Sequence, residues 1–166
     1  MNNQGITIII ADGDCELVAK QLLANTSRVD IKIVDKVTDG ESAIESIRKY
    51  QPDVVLLDIC LPVMDGLGVM ETIRDSGDCP ETLFVVITSV GSQRLIRCAF
   101  DLGASFYVLK PYNSDQLVAR LKQMHERKQE ILAEMSADLI CIPNKSMTDN
   151  VANNIESDVT DIIRDI

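Results

Sequence analysis

Short, largely apolar runs alternate along this chain with segments whose apolar residues recur every three or four positions. ITIIIA (6–11), IKIVDKV (31–37), DVVLL (53–57), LFVVIT (83–88) and SFYVLK (105–110) are of the first kind and predict strands. CELVAKQLLANT (15–26), ESAIESIRKY (41–50), GLGVMETIRDSG (66–77), SQRLIRCAFDLG (92–103) and SDQLVARLKQMHERKQEILAEM (114–135) predict helices. Ala43, Ile44 and Ile47 share one face of the second helix, and Gly103 is placed to end the fourth.

Strand and helix therefore alternate with short connections, an α/β pattern with a parallel sheet and right-handed crossovers. The strands read as continuous apolar runs because helices cover both faces of such a sheet. MSADLICIPNKSMTDNVAN (135–153) has no sustained period and predicts a linker. IESDVTDIIRDI (155–166) carries one apolar stripe, at 155, 159, 162, 163 and 166, and is marginal as a helix without a partner. The expected organisation is one domain over 1–129 and an appendage over 130–166.

Composition narrows the functional classes. Trp is absent and aromatics make up 4% of the chain, so the core must be aliphatic. No apolar run approaches the ~20 residues of a membrane helix, and the N-terminus lacks a signal-peptide pattern. Five cysteines form no C-x-x-C pair and His125 is the one histidine, which argues against structural zinc and for reduced thiols in the cytoplasm. The net charge is −10, of which residues 130–166 carry −6. An acidic chain without a basic stripe is not expected to bind nucleic acid by itself.

In a sheet of this kind the site lies beyond the carboxyl ends of the strands. The first strand ends in Asp12, the third in Asp58, the fourth in Thr88 and Ser89, and the fifth in Lys110 followed by Pro111. Carboxylates from two neighbouring strands suit a hard cation such as Mg2+. A carboxylate, a hydroxyl and an ammonium around one point suit a phosphoryl group.

LLDICLPVMDG (56–66), VVITS (85–89) and GASFYVLKPY (103–112) resemble the three signatures of response-regulator receiver domains, and the resemblance runs through about residues 6–125. More narrowly, VMDGLGVMETI, FDLGASFYVLKPY and NNIESDVTDIIRDI resemble the sporulation regulators of endospore-forming bacteria. The resemblance implies a (βα)5 flavodoxin-like, doubly wound parallel sheet with strand order 2-1-3-4-5. It implies that Asp58 accepts a phosphoryl group from a histidine kinase or histidine phosphotransferase. Mg2+ would be held by Asp12, Asp58 and the backbone carbonyl of Cys60. Lys110 and the Thr88 hydroxyl would hold the phosphoryl group, and Tyr107 would be the aromatic that turns in behind Thr88. A cis Lys110–Pro111 bond is also implied, as is a homodimer through the fourth helix, fifth strand and fifth helix. The last residues resemble the opening of a DNA-binding effector domain.

One position departs from the family. Its first strand usually ends in two adjacent acids, and here the second is Gly13. Two roles stay open for Asp14: a compensating metal ligand, or an N-cap of the first helix. Three functions stay open with it: a phosphorylated receiver with weakened Mg2+ binding, a degenerate receiver acting as an interaction module without phosphorylation, and a phosphohydrolase using the D-G-D spacing.

Overall fold

A computed structural model of the chain describes residues 5–24 and 30–140. Five strands, β1 (Ile6–Ala11), β2 (Ile31–Val37), β3 (Val54–Leu57), β4 (Leu83–Thr88) and β5 (Ala104–Leu109), alternate with five helices. These are α1 (Cys15–Leu23), α2 (Gly40–Tyr50), α3 (Gly66–Ser76), α4 (Gln93–Asp101) and α5 (Ser114–Ile140). The sheet is parallel throughout with order β2-β1-β3-β4-β5. This is the flavodoxin-like α/β fold that the resemblance implies.

The inner strands β1, β3 and β4 serve two cores at once, which explains their continuous apolar runs. Ile9, Ala11, Val55, Leu57 and Val86 pack on one face with Ala43, Ile47, Val69, Ile73 and Ala99 of α2, α3 and α4. Ile8, Ile10, Val54, Leu56, Val85 and Ile87 pack on the other with Val18, Leu22, Leu117 and Leu121 of α1 and α5. Ile8, Ile9 and Ile10 are wholly buried. Burial of a side chain of that size contributes roughly 1.5–3 kcal/mol, so the three anchor β1 in both cores. At the amino end of the sheet, Asp53 Oδ2 accepts from the Thr7 N–H (2.9 Å) and the Thr7 hydroxyl (2.7 Å). That clip pins β3 beside β1.

The helix ends follow local chemistry. Asp39 and Asp65 cap α2 and α3 by accepting from the N–H groups of Ser42 and Gly68, both at 2.8 Å. Gly103, with φ +96°, follows the end of α4 as expected. Two boundaries differ from the sequence reading by three residues or more. α1 stops at Leu23, with Ala24 as its C-cap, rather than at Thr26. α5 runs to Ile140, so 136–140 are helix and not linker; no glycine or proline interrupts the chain until Pro143. Residues 141–153 of the expected linker and the stripe at 155–166 lie outside the described residues. The chain divides into two units after Glu130.

Candidate functional site

The ladders that build the sheet also aim the polar residues at its carboxyl end. The Asp58 N–H donates to the Ala11 carbonyl (2.8 Å) and the Asp12 N–H to the Val37 carbonyl (3.1 Å). Both aspartates thus continue strand pairing one residue past the apolar run and stand side by side. The Lys110 N–H donates to the Thr88 carbonyl (2.9 Å), which registers the fifth strand against the fourth. Asp12, Asp58 and Thr88 are buried. Lys110 Nζ closes the group, 2.6 Å from Asp12 Oδ2 and 2.8 Å from Asp58 Oδ2. The Lys110–Pro111 bond is cis.

Burial alone would raise the Asp58 pKa. Hydrogen bonds from Lys110, the Cys60 N–H and the Thr88 hydroxyl, with the Lys110 charge, outweigh it and hold the carboxyl below its usual value. Burial likewise works against the Lys110 charge, and bonds to Asp12 and Asp58 overcome it and raise that pKa. Asp58 is therefore an ionised carboxylate at neutral pH with a fixed cation beside it. Such a carboxylate can in principle attack an electrophile that carries negative charge.

The other expected residues fall as follows. Cys60 is exposed and its N–H donates to Asp58 Oδ1 (2.9 Å), which brings its backbone to the site. Tyr107 donates its hydroxyl to the Val90 carbonyl (2.5 Å), and the Val90 N–H donates to Thr88 Oγ (3.4 Å). Tyr107 is thus turned in behind the loop after Thr88. Asp14 does not cap α1 with its side chain, although it occupies the N-cap position. Its N–H instead donates to Asp12 Oδ1 (2.8 Å), so the turn around Gly13 is closed by the other aspartate. The Asp14 side chain is exposed and lines a cavity of about 360 Å3 with Asp12, Ser89, Lys110 and Tyr112.

Gly66 was not among the site residues that the sequence suggested, yet it is built into the site. A Cβ there would lie 2.3 Å from the Asp58 carbonyl oxygen, so the helix start reaches the end of β3 only because residue 66 has no side chain. The Asp65–Gly66 pair signals a turn in the sequence, but the close approach becomes visible only when α3 is docked. The Val90 carbonyl was missed as well, because a backbone acceptor leaves no mark on residue type.

Among the described residues, no three His, Cys, Asp or Glu side chains are grouped to hold a metal ion. Two carboxylates are close, and a cation, the Lys110 ammonium, already bridges them. Mg2+ is typically held by one or two carboxylates, with waters and phosphate oxygens completing its shell. Asp12 and Asp58 fit a Mg2+ ion held in that way and not an all-protein cage.

The sequence model of response regulator receiver domains matches residues 8–122. The chain belongs to the response regulator receiver domain family. Receiver domains are signalling domains that interact with histidine kinases and phosphotransferases and bind Mg2+ at the phosphorylation site. Among solved receivers, a DNA-binding response regulator of the LuxR family from Staphylococcus aureus is 26% identical, with a TM-score of 0.65 over 72% of this chain and 98% of that one. The BeF3-activated DrrB receiver domain is also 26% identical, with a TM-score of 0.62 over 74% of this chain and 99% of that one. The CheX–CheY–BeF3–Mg2+ complex from Borrelia burgdorferi, at 24% identity, shares the fold with a TM-score of 0.64 over 72% of this chain and 88% of that one. Among the described residues, no helix of this receiver is long and apolar enough to cross a membrane.

Proposed function

We propose that this receiver accepts a phosphoryl group on Asp58 from the phosphohistidine of a histidine kinase or histidine phosphotransferase. The observation that carries the reading is the Lys110 ammonium seated on the buried, ionised Asp58 carboxylate. An Asp58 carboxylate oxygen attacks phosphorus, a P–O bond forms, and the P–N bond to the donor imidazole breaks with its electron pair left on nitrogen. The chain's part is to hold the nucleophile ionised, to set the Lys110 charge against the phosphoryl oxygens, and to offer the Thr88 hydroxyl as a donor. Mg2+ bound at Asp12, Asp58 and the Cys60 carbonyl would supply further positive charge against the same oxygens. DrrB, 26% identical over most of the domain, is activated by BeF3, a phosphoryl mimic, and that supports the reading.

The output belongs to the face of α4, β5 and α5, where Phe100 and Leu109 stand about half exposed. It would work as a homodimer contact made when Thr88 and Tyr107 rearrange about the phosphoryl group. The setting is a cytoplasmic phosphorelay of the sporulation type, acting on transcription through an effector domain. Incubation with acetyl phosphate or a phosphorylated donor at millimolar Mg2+ tests the core of this. Expected is an acyl phosphate that Asp58→Asn abolishes. Labelling that survives Asp58→Asn, or no labelling at all, overturns it.

A further inference from the structure

The most informative position of the site is one with no side chain. Nothing lies within 4 Å of where a Cβ on Gly13 would stand, and its φ is outside the left-handed region. Neither packing nor backbone requires glycine here, in contrast to Gly66. Residue 13 lies between Asp12, whose two carboxylate oxygens are already taken by the Asp14 N–H and by Lys110, and Asp14, whose carboxylate stays outside any metal-holding group. The rim therefore offers two carboxylates and one ammonium, where an acid at residue 13 would supply a third carboxylate in open space.

We infer that residue 13 sets the cation affinity of this receiver, and that with glycine there Mg2+ is held firmly only together with a phosphoryl-like ligand. The inference rests on the phosphoacceptor reading for its site and makes its own claim about metal. Two carboxylates that already share an ammonium give a divalent ion little net charge and few free lone pairs. Oxygens of a phosphoryl group are the remaining anionic donors a Mg2+ ion accepts readily. Lys110 then has a third anion to pair with, and its hold on the two aspartates competes less with the metal.

The test is a Mg2+ titration of the full chain, followed by calorimetry and by tyrosine emission, without any phosphodonor. The wild type, Gly13→Asp and Gly13→Ala are compared, each with and without BeF3. Gly13→Asp should tighten Mg2+ binding to the free chain at least about tenfold, while Gly13→Ala, which adds the Cβ without the charge, should leave it unchanged. BeF3 should tighten Mg2+ binding by a larger factor in the wild type than in Gly13→Asp. Equal Mg2+ affinity in wild type and Gly13→Asp, with both folded by circular dichroism, overturns the inference; so does an equal gain in Gly13→Ala. Because no phosphodonor is present, these outcomes are independent of whether Asp58 can be labelled.

Discussion

The Lys110 ammonium lies 2.6 Å from the Asp12 carboxylate, a contact that joins the ends of β1 and β5 across 98 positions of sequence. The same nitrogen reaches Asp58 at 2.8 Å, so one cation offsets two buried acids. Removing the cation and removing one acid are therefore unequal changes. Lys110→Ala strands two like charges with no counter-ion, and with partial solvent access this should cost about 2 kcal/mol. Asp58→Asn keeps the Asp12–Lys110 pair and should cost distinctly less. Urea unfolding of the two variants measures the difference, and a larger loss for Asp58→Asn would contradict it.

The same pairs set a pH window. Asp58 is held below its ordinary value of 3.8, so the stability it contributes is complete above that pH and is lost as pH falls through the lower folded value. Lys110 is held above its ordinary 10.5, so its contribution is complete below that pH and is lost as pH rises through the higher folded value. Thermal melts should show a plateau between these limits. In Asp58→Asn the decline on the acid side should become shallower.

Gly66 gives the docking of α3 a sharp test. Gly66→Ala forces a methyl to within 2.3 Å of the Asp58 carbonyl oxygen unless the helix or the strand end moves. Overpacking of this kind costs about 1–3 kcal/mol. Because the displaced group is the backbone of the proposed acceptor, labelling by acetyl phosphate should slow together with the loss of stability. Gly13→Ala, which meets open space, should change neither by much.

Val63 carries strain that its side chain does not offset. Its φ is +68°, closed by a Met64 N–H to Pro62 carbonyl bond of 2.8 Å, and its side chain is 74% exposed. A β-branched residue in that region is an outlier, and such backbone strain costs on the order of 1–3 kcal/mol. Val63→Gly should stabilise the domain by about 1 kcal/mol after the extra unfolded-chain entropy of glycine is subtracted. Chemical denaturation reads the result, and a loss of stability would show that the exposed valine has a packing role.

The sheet was legible because the inner strands β1, β3 and β4 carry two buried faces, and β1, β3, β4 and β5 each break off at a polar residue. Asp12, Asp58, Thr88 and Lys110 could be read from those breaks alone, and the parallel ladders bring them to one rim. Asp14 was harder, because an N-cap depends on where a short side chain points, and here the backbone of Asp14 is spent on Asp12. The end of α5 was misplaced because loss of apolar period does not stop a helix that has no glycine, proline or cap to end it. Gly66 and the Val90 carbonyl escaped notice because close approach and backbone acceptance belong to pairs of segments.

The placement of the tyrosines has a practical consequence. With no Trp in the chain, ultraviolet emission comes from three phenols, Tyr50, Tyr107 and Tyr112. Tyr107 is bonded to the loop after Thr88 and Tyr112 lines the cavity beside Asp12, while Tyr50 sits at the far end of α2. Two of the three native fluorophores thus border the candidate site, and occupancy there can be followed spectroscopically in the unlabelled molecule.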